Sequence, residues 1–200
     1  MKIVLASQSP RRRELLGKMG LEFTTKSPEI DEEAIRGLPA RELVKALSRE
    51  KALHIARGED PDAIVIGSDT VVVLDGTVLG KPASAGQAEA MLIALSGRSH
   101  AVCTGVTVCQ GDRVVSQVEE TQVTFRSLTP EEVRRYVRTG EPMDKAGAYG
   151  IQGYGALLVE RIQGDYSSVV GLPVCRLGRM LLEFGVDCLA LSAEREEDTL

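Results

Sequence analysis

Apolar residues fall in short, separated blocks along this chain, and the spacing within blocks alternates between strand and helix periods. Residues 3–6 (Ile-Val-Leu-Ala) and 63–67 (Ala-Ile-Val-Ile-Gly) are continuous runs, as expected of central strands covered on both faces. Residues 99–109 and 113–125 alternate around Gln110-Gly111-Asp112, which predicts an antiparallel hairpin. Residues 71–74 and 77–79 flank Asp75-Gly76, a strong tight-turn signal. One more strand is predicted at 157–162.

Helices announce themselves by their ends. Ser9-Pro10 supplies an N-cap and a first-turn proline, and Gly17 and Gly20 mark the stop. A second helix is predicted over 39–57, with Val44, Leu47 and Ile55 on one face. Lys51 falls on that same apolar face, so it either snorkels outward or reaches an anion across the interface. Ser84 with Gln87 opens a helix to about Leu95, Thr129-Pro130-Glu131-Glu132 opens one closing at Gly140, and a last one spans 173–184 before Gly185. Residues 146–155 carry too many glycines for regular helix and suggest backbone brought close to a ligand. Parallel crossovers and antiparallel hairpins together predict an α/β fold, a mixed twisted sheet with surrounding helices. The expected organisation is a single domain over 1–193, two merged lobes around a cleft, followed by an acidic tail at 194–200.

The chain has 200 residues, of which 43% are hydrophobic, enough for a sizeable core resting on Val, Leu, Ile and Ala because Trp is absent. A net charge of −5 argues against a general nucleic-acid binder, which needs a basic surface to displace counterions. It leaves room for a small phosphorylated ligand, which needs cations at one place only. Cys103, Cys109, Cys175 and Cys188 show no CxxC spacing, so buried reduced thiols are expected rather than a zinc or disulfide framework. No apolar run approaches the ~20 residues of a membrane span, and Met1–Ala6 followed by Ser-Gln-Ser-Pro-Arg-Arg-Arg reverses a signal peptide's charge order. A cytoplasmic protein without membrane or nucleic-acid partners is expected.

Candidate chemistry gathers at a few points. Ser7-Gln8-Ser9-Pro10-Arg11-Arg12-Arg13 puts three arginines in a first helical turn, where they oppose the helix dipole. A bound phosphate would relieve that conflict; a solvated basic turn is the alternative. Ser68-Asp69-Thr70 follows a central apolar run, where an aspartate could hold a divalent metal (Mg or Mn), accept a proton from water, or merely cap a loop. Lys81, in Gly80-Lys81-Pro82, could join Lys51 and the arginines against a triphosphate, or be a surface lysine beside a turn. Glu32 is either a second metal ligand or part of a solvated acidic loop. Gln152 offers one donor and one acceptor edge, matching N3–H and O4 of uracil or thymine. His54 and His100 read as structural.

Taken together these segments resemble the Maf family of nucleotide pyrophosphatases, whose fold is similar to that of inosine-triphosphate pyrophosphatases. The matching pieces are Leu5 to Arg12, Ser68-Asp69-Thr70, Gly80-Lys81-Pro82, Ser96-Gly97 with His100, Thr104-Gly105, Gly140 to Gly153, and Val170-Gly171-Leu172-Pro173. They stand in the family's order and cover nearly the whole chain. The stretch Ala146 to Gly153 resembles the subgroup preferring dTTP and UTP over the one acting on 7-methyl-GTP. The resemblance implies Asp69 as proton acceptor and Arg11, Thr70 and Gln152 as positions linked to base preference. It further implies Arg12, Lys51 and Lys81 on phosphates, Glu32 with Asp69 on a divalent metal, and it suggests a homodimer. A nucleotide-binding regulator of septum formation with little catalysis is the alternative, since the family's name reflects that association.

Overall fold

The computed structural model describes residues 1–35 and 37–191; the acidic tail expected at 194–200 lies outside the described residues. β1 (Ile3–Ala6) is buried throughout and leads through Ser9 into α1 (Pro10–Gly17), with Pro10 in the first turn. Ser9 Oγ accepts the Arg12 N–H at 3.5 Å. β2 (Thr24–Lys26), too short and polar to read from sequence, pairs parallel with β1. α2 (Ala40–Ala56) then returns the chain to β3 (Ile64–Leu74), which pairs parallel with β1 in the register Ile3↔Ile64 to Ala6↔Gly67.

β4 (Thr77–Leu79) folds back on β3 through Asp75 (φ 50°) and Gly76 (φ 77°). Positive φ at both central residues is the type I′ geometry that Asp-Gly favours. α3 (Ala85–Leu95) begins at Ser84, whose Oγ accepts the Gln87 N–H; the Gln87 side chain returns to the Ala83 N–H at 2.6 Å, one residue before the cap. β5 (Ser99–Gln110) and β6 (Arg113–Phe125) form the expected hairpin. α4 (Pro130–Arg138) carries a complete Thr129/Glu132 capping box. A 3₁₀ turn, Glu141–Asp144, leads into the glycine-rich stretch, where two more, Ala146–Ala148 and Tyr154–Leu157, replace regular structure. β7 (Val159–Gln163), α5 (Tyr166–Val170) and α6 (Val174–Glu183) follow, and a further 3₁₀ turn, Glu33–Ile35, stands between β2 and α2. The sheet is mixed, in the order β2-β1-β3-β5-β6-β7 with β4 on β3.

The described chain divides into two compact units, one from residues 1–69, 104–119 and 171 onward, the other from 70–103 and 120–170. In the first, Val4, Ala6, Ala52, Ile55, Val65 and Cys109 form one core cluster. Each fully buried Val or Ile there contributes about 2 kcal/mol of apolar transfer. α2 lies against the sheet because Gly67 and Gly105 have no side chain. A Cβ at Gly67 would meet the Ser48 carbonyl and Ala52 N, and one at Gly105 the Val44 carbonyl. In the second unit α3 and α4 pack together, and α3 also packs on the Ala146–Ala148 turn.

Two expectations change. The strand predicted to stop before Ser68-Asp69-Thr70 runs on as 11 residues, so Asp69 sits inside β3 rather than at its end. Polar residues are tolerated there because each finds a partner: Ser68 Oγ donates to the Gly105 and Gly171 carbonyls, both at 2.9 Å, and Asp69 meets Lys51. All four cysteines are free, but only Cys103 and Cys109 are buried; Cys188 is half-buried and Cys175 exposed on the first turn of α6. Burial pushes the Cys109 thiol up to about 11, which keeps it a protonated, inert packing group.

Candidate active site

In the first unit, two carboxylates singled out by sequence meet around the Lys51 ammonium, and the Arg12 guanidinium acts on both by its charge. Lys51 is buried on the apolar face of α2 and does not snorkel: its Nζ lies 2.5 Å from Asp69 Oδ1 and 2.7 Å from Glu32 Oε1. Asp69 is nearly as buried as Lys51, whereas Glu32 stays exposed in the acidic connection. Arg12 completes the group. Its Nε donates to the Gly171 carbonyl at 2.8 Å. Burial holds the Arg12 pKa below the usual guanidinium value, and the Arg11 charge lowers it further, against the attraction of Asp69 and Glu32. The guanidinium is still cationic, because an arginine stays protonated at any physiological pH.

Four charged groups, two of each sign, thus interact, one of them carried by the first turn of α1, which Ser7 precedes. Ser7 is buried and its Oγ accepts the Ser9 N–H at 3.1 Å, shaping the turn that leads into the helix. The unpaired N–H groups and dipole of a helix start favour an anion. Gly171 stands in the Val170-Gly171-Leu172-Pro173 motif. It has a φ of 129°, which favours glycine, and its carbonyl receives both Arg12 and Ser68. The glycine itself is the only local signal of such backbone, since the side chains its carbonyl receives lie 159 and 103 residues away.

For a divalent cation the chemistry of this donor set fits. Two carboxylates converge on a point where a positive charge already stands, and hard cations take oxygen ligands, with phosphate oxygens able to complete the shell. Among the described residues no group of three or more His, Cys, Asp or Glu forms a metal cage.

Arg11 stands half-buried beside Arg12 in the first turn of α1, and the remaining site candidates belong to the second unit. Thr70 follows Asp69 along β3 and is half-buried. Lys81 is exposed in the loop after β4, and Gln152 is exposed in the glycine-rich stretch. Those two segments are joined to each other: the Gly147 N–H donates to the Gly80 carbonyl at 3.1 Å, and Gly147 (φ 67°) packs against the Val72 side chain.

His100 is structural, as its sequence context suggests. Its Nε2 lies 2.9 Å from the Tyr149 hydroxyl, its ring stands edge-on to Phe125 and Tyr149, and its buried Nδ1 finds no hydrogen-bond partner among the described residues. Burial lowers its pKa from 6.5 to about 4. The unfolded chain therefore takes up the proton first on acidification. The stability owed to neutral His100 is complete above about pH 6.5 and is lost as pH falls toward 4, by about 3 kcal/mol in all. A His100→Phe variant should show a correspondingly shallower loss of urea midpoint between pH 6.5 and 4. An acid limb identical to that of the parent would contradict the assignment.

No helix among the described residues is long and apolar enough to cross a membrane. The Maf-like protein family matches residues 2–184. The dTTP/UTP pyrophosphatase of Moorella thermoacetica is 55% identical over 188 residues, 93% of this chain and 96% of that protein. The dTTP/UTP pyrophosphatase of Symbiobacterium thermophilum is 52% identical over 184 residues, 92% and 94% of the two chains. Among solved structures, a HAM1 protein from Coxiella burnetii matches with a TM-score of 0.48 and 17% identity, over 92% of this chain and 99% of that one. With the family matched across residues 2–184 and relatives sharing half of its residues, this chain belongs to the Maf family.

Proposed function

We propose that the protein hydrolyses dTTP and UTP to the nucleoside monophosphate and pyrophosphate. The carrying observation is the cluster of Asp69, Glu32, Lys51 and Arg12, in a chain whose relatives are named for that activity. The cluster supplies what phosphoanhydride cleavage needs: a carboxylate to take a proton, and cations for the charge that develops.

In this reading Asp69 orients a water molecule and accepts its proton. The water oxygen bonds to the α-phosphorus, the α–β bridging bond breaks, and pyrophosphate leaves with the bond's electron pair. Lys51 and Arg12 hold the phosphates by charge and hydrogen bonding, with Ser7 at the helix start beside them. Asp69 and Glu32 would hold a divalent cation, Mg or Mn, which supplies charge neutralisation on phosphate oxygens when bound. Lys81 is assigned to the phosphates, and Arg11, Thr70 and Gln152 to the base, on the motif match. No covalent intermediate is needed. We place the reaction in the cytoplasm and propose that the chain works as a homodimer, following the sequence reading and the family resemblance.

The test is pyrophosphate release with Mg²⁺ across the common nucleoside triphosphates. dTTP and UTP should exceed CTP, ATP and GTP in kcat/KM by at least about tenfold, the worth of one well-placed hydrogen bond. Gln152→Ala should cost about tenfold on dTTP and UTP and much less on the others. Equal losses on every base would remove Gln152 from recognition. Nucleotide binding without turnover would favour a regulator instead.

A further inference from the structure

Gln152 lies in backbone that has little order of its own. Gly150, Gly153 and Gly155 surround it, and glycine surrenders more conformational freedom on folding than any other residue. A side chain that reads a base must nevertheless be held in place before the base arrives, or the ordering cost comes off the affinity. What holds this segment is one carboxylate. Glu141 Oε1 accepts the Tyr136 hydroxyl at 2.8 Å and the Gly155 N–H at 3.0 Å, while Oε2 accepts the Tyr154 N–H at 2.8 Å. The Tyr136 hydroxyl in turn accepts the Gly150 N–H at 3.0 Å. Both sides of Gln152 are thereby tied, directly or through one phenol, to a single side chain.

The glycines make this wrapping feasible. A Cβ at Gly153 would strike the Glu141 carboxylate, one at Gly150 the Lys145 side chain, and one at Gly155 the Gly150 carbonyl and Tyr136 hydroxyl. Lys145 closes the base of the arrangement, donating to the Glu141 carbonyl at 2.7 Å and to Asp144 at 2.6 Å. Burial alone would raise the Glu141 carboxyl, but the Gly155 and Tyr154 N–H groups, the Tyr136 hydroxyl and the Lys145 charge hold it below the usual range. At neutral pH it is thus an acceptor for all three donors.

We infer that Glu141 is a positioning residue for base recognition: its carboxylate anchors the Gly150–Gly155 backbone and so fixes the Gln152 amide for the pyrimidine. The inference rests on the proposed role of Gln152 and deepens it. Glu141 touches no substrate in this scheme; it acts through the loop it holds.

The test compares kcat and KM for dTTP, UTP and CTP in the parent, Glu141→Gln, Tyr136→Phe, Gln152→Ala and the Glu141→Gln/Gln152→Ala double variant. Glu141→Gln keeps the shape but turns one acceptor oxygen into a donor. It should raise KM for dTTP and UTP about tenfold, with kcat changed less than about threefold, and compress the dTTP-over-CTP preference. Tyr136→Phe loses one donor and the Gly150 anchor and should shift the same ratio in the same direction by a smaller factor. The double variant should be no less selective than Gln152→Ala alone, because Glu141 acts only through that amide. Amide hydrogen exchange should accelerate at Gly150, Tyr154 and Gly155 in both anchoring variants. An undiminished dTTP-over-CTP ratio in Glu141→Gln and Tyr136→Phe, with Gln152→Ala non-selective, overturns the anchoring role alone. An undiminished ratio in Gln152→Ala overturns the base-reading role beneath it. Equal kcat losses on all three nucleotides would make Glu141 a general structural residue and also refute the inference.

Discussion

Asp69→Asn is expected to reduce kcat for dTTP hydrolysis by about 10³-fold while the protein stays folded. Asparagine keeps the size and shape of the side chain within β3, so the backbone has no reason to move. Lys51 would lose one carboxylate at 2.5 Å but retain Glu32 at 2.7 Å, which spares the protein an unpaired buried ammonium. What disappears is the negative charge to which the proposed mechanism assigns the proton from water and a share of the cation. The measurement is pyrophosphate release at saturating dTTP beside a thermal melt of the same sample. Normal release from Asp69→Asn would move the proton acceptor elsewhere. A collapsed melt would mean the charge is structural first, and the kinetic loss would then say nothing about chemistry.

The largest loss of stability is expected from glycines far from any reacting atom. Gly67→Ala and Gly105→Ala each drive a methyl group into the backbone of α2, at Ser48 and Ala52 in the first case and Val44 in the second. Flexible side chains can yield to such a contact, but a helical carbonyl moves only if the helix does. Each substitution should therefore cost about 3 kcal/mol, the upper end of ordinary overpacking, and lower Tm by about 6–12 °C. Activity should fall with it, because Ser48 and Ala52 bracket Lys51 on α2 and a shift there withdraws the ammonium from Asp69. Gly86→Ala is the contrasting case. It lies in α3 with open space around its Cβ position and should be neutral or gain about 0.5 kcal/mol. Melts of the three variants decide the matter, and equal Tm values would show that α2 does not rest on the two bare glycines.

The two effects have a common origin. A buried lysine is costly unless an opposite charge meets it at close range. Lys51 meets Asp69 because α2 approaches β3 at Gly67 closely enough for a side chain to span the gap. The Lys51–Asp69 pairing and the packing of the helix are therefore one structural fact seen from two sides. Ser68, next to Asp69, is pinned by two carbonyls in the same way, so the strand cannot slip and carry Asp69 to the other face.

Much of this protein is written locally along the chain. Periodicity and end signals determined most elements: Ser9-Pro10 and Thr129 with Glu132 start helices, Asp75-Gly76 turns a hairpin, and 99–125 folds back on itself. Such signals act over three or four residues, which is why they are legible there. The ordered motifs likewise carried the family. Tertiary structure decided what lies between distant residues. Lys51 could have snorkelled until it was seen on Asp69, 18 residues away, and Ser68 reaches Gly171 across 103 residues. Polarity made Ser68-Asp69-Thr70 look like the end of a strand, because the partners that satisfy it lie elsewhere in sequence. Glu141 gave no sign of its role, since the N–H groups it collects belong to backbone 13 and 14 residues on. A hydrogen bond across such distances depends on where the fold puts two atoms, and no local pattern of residues encodes that.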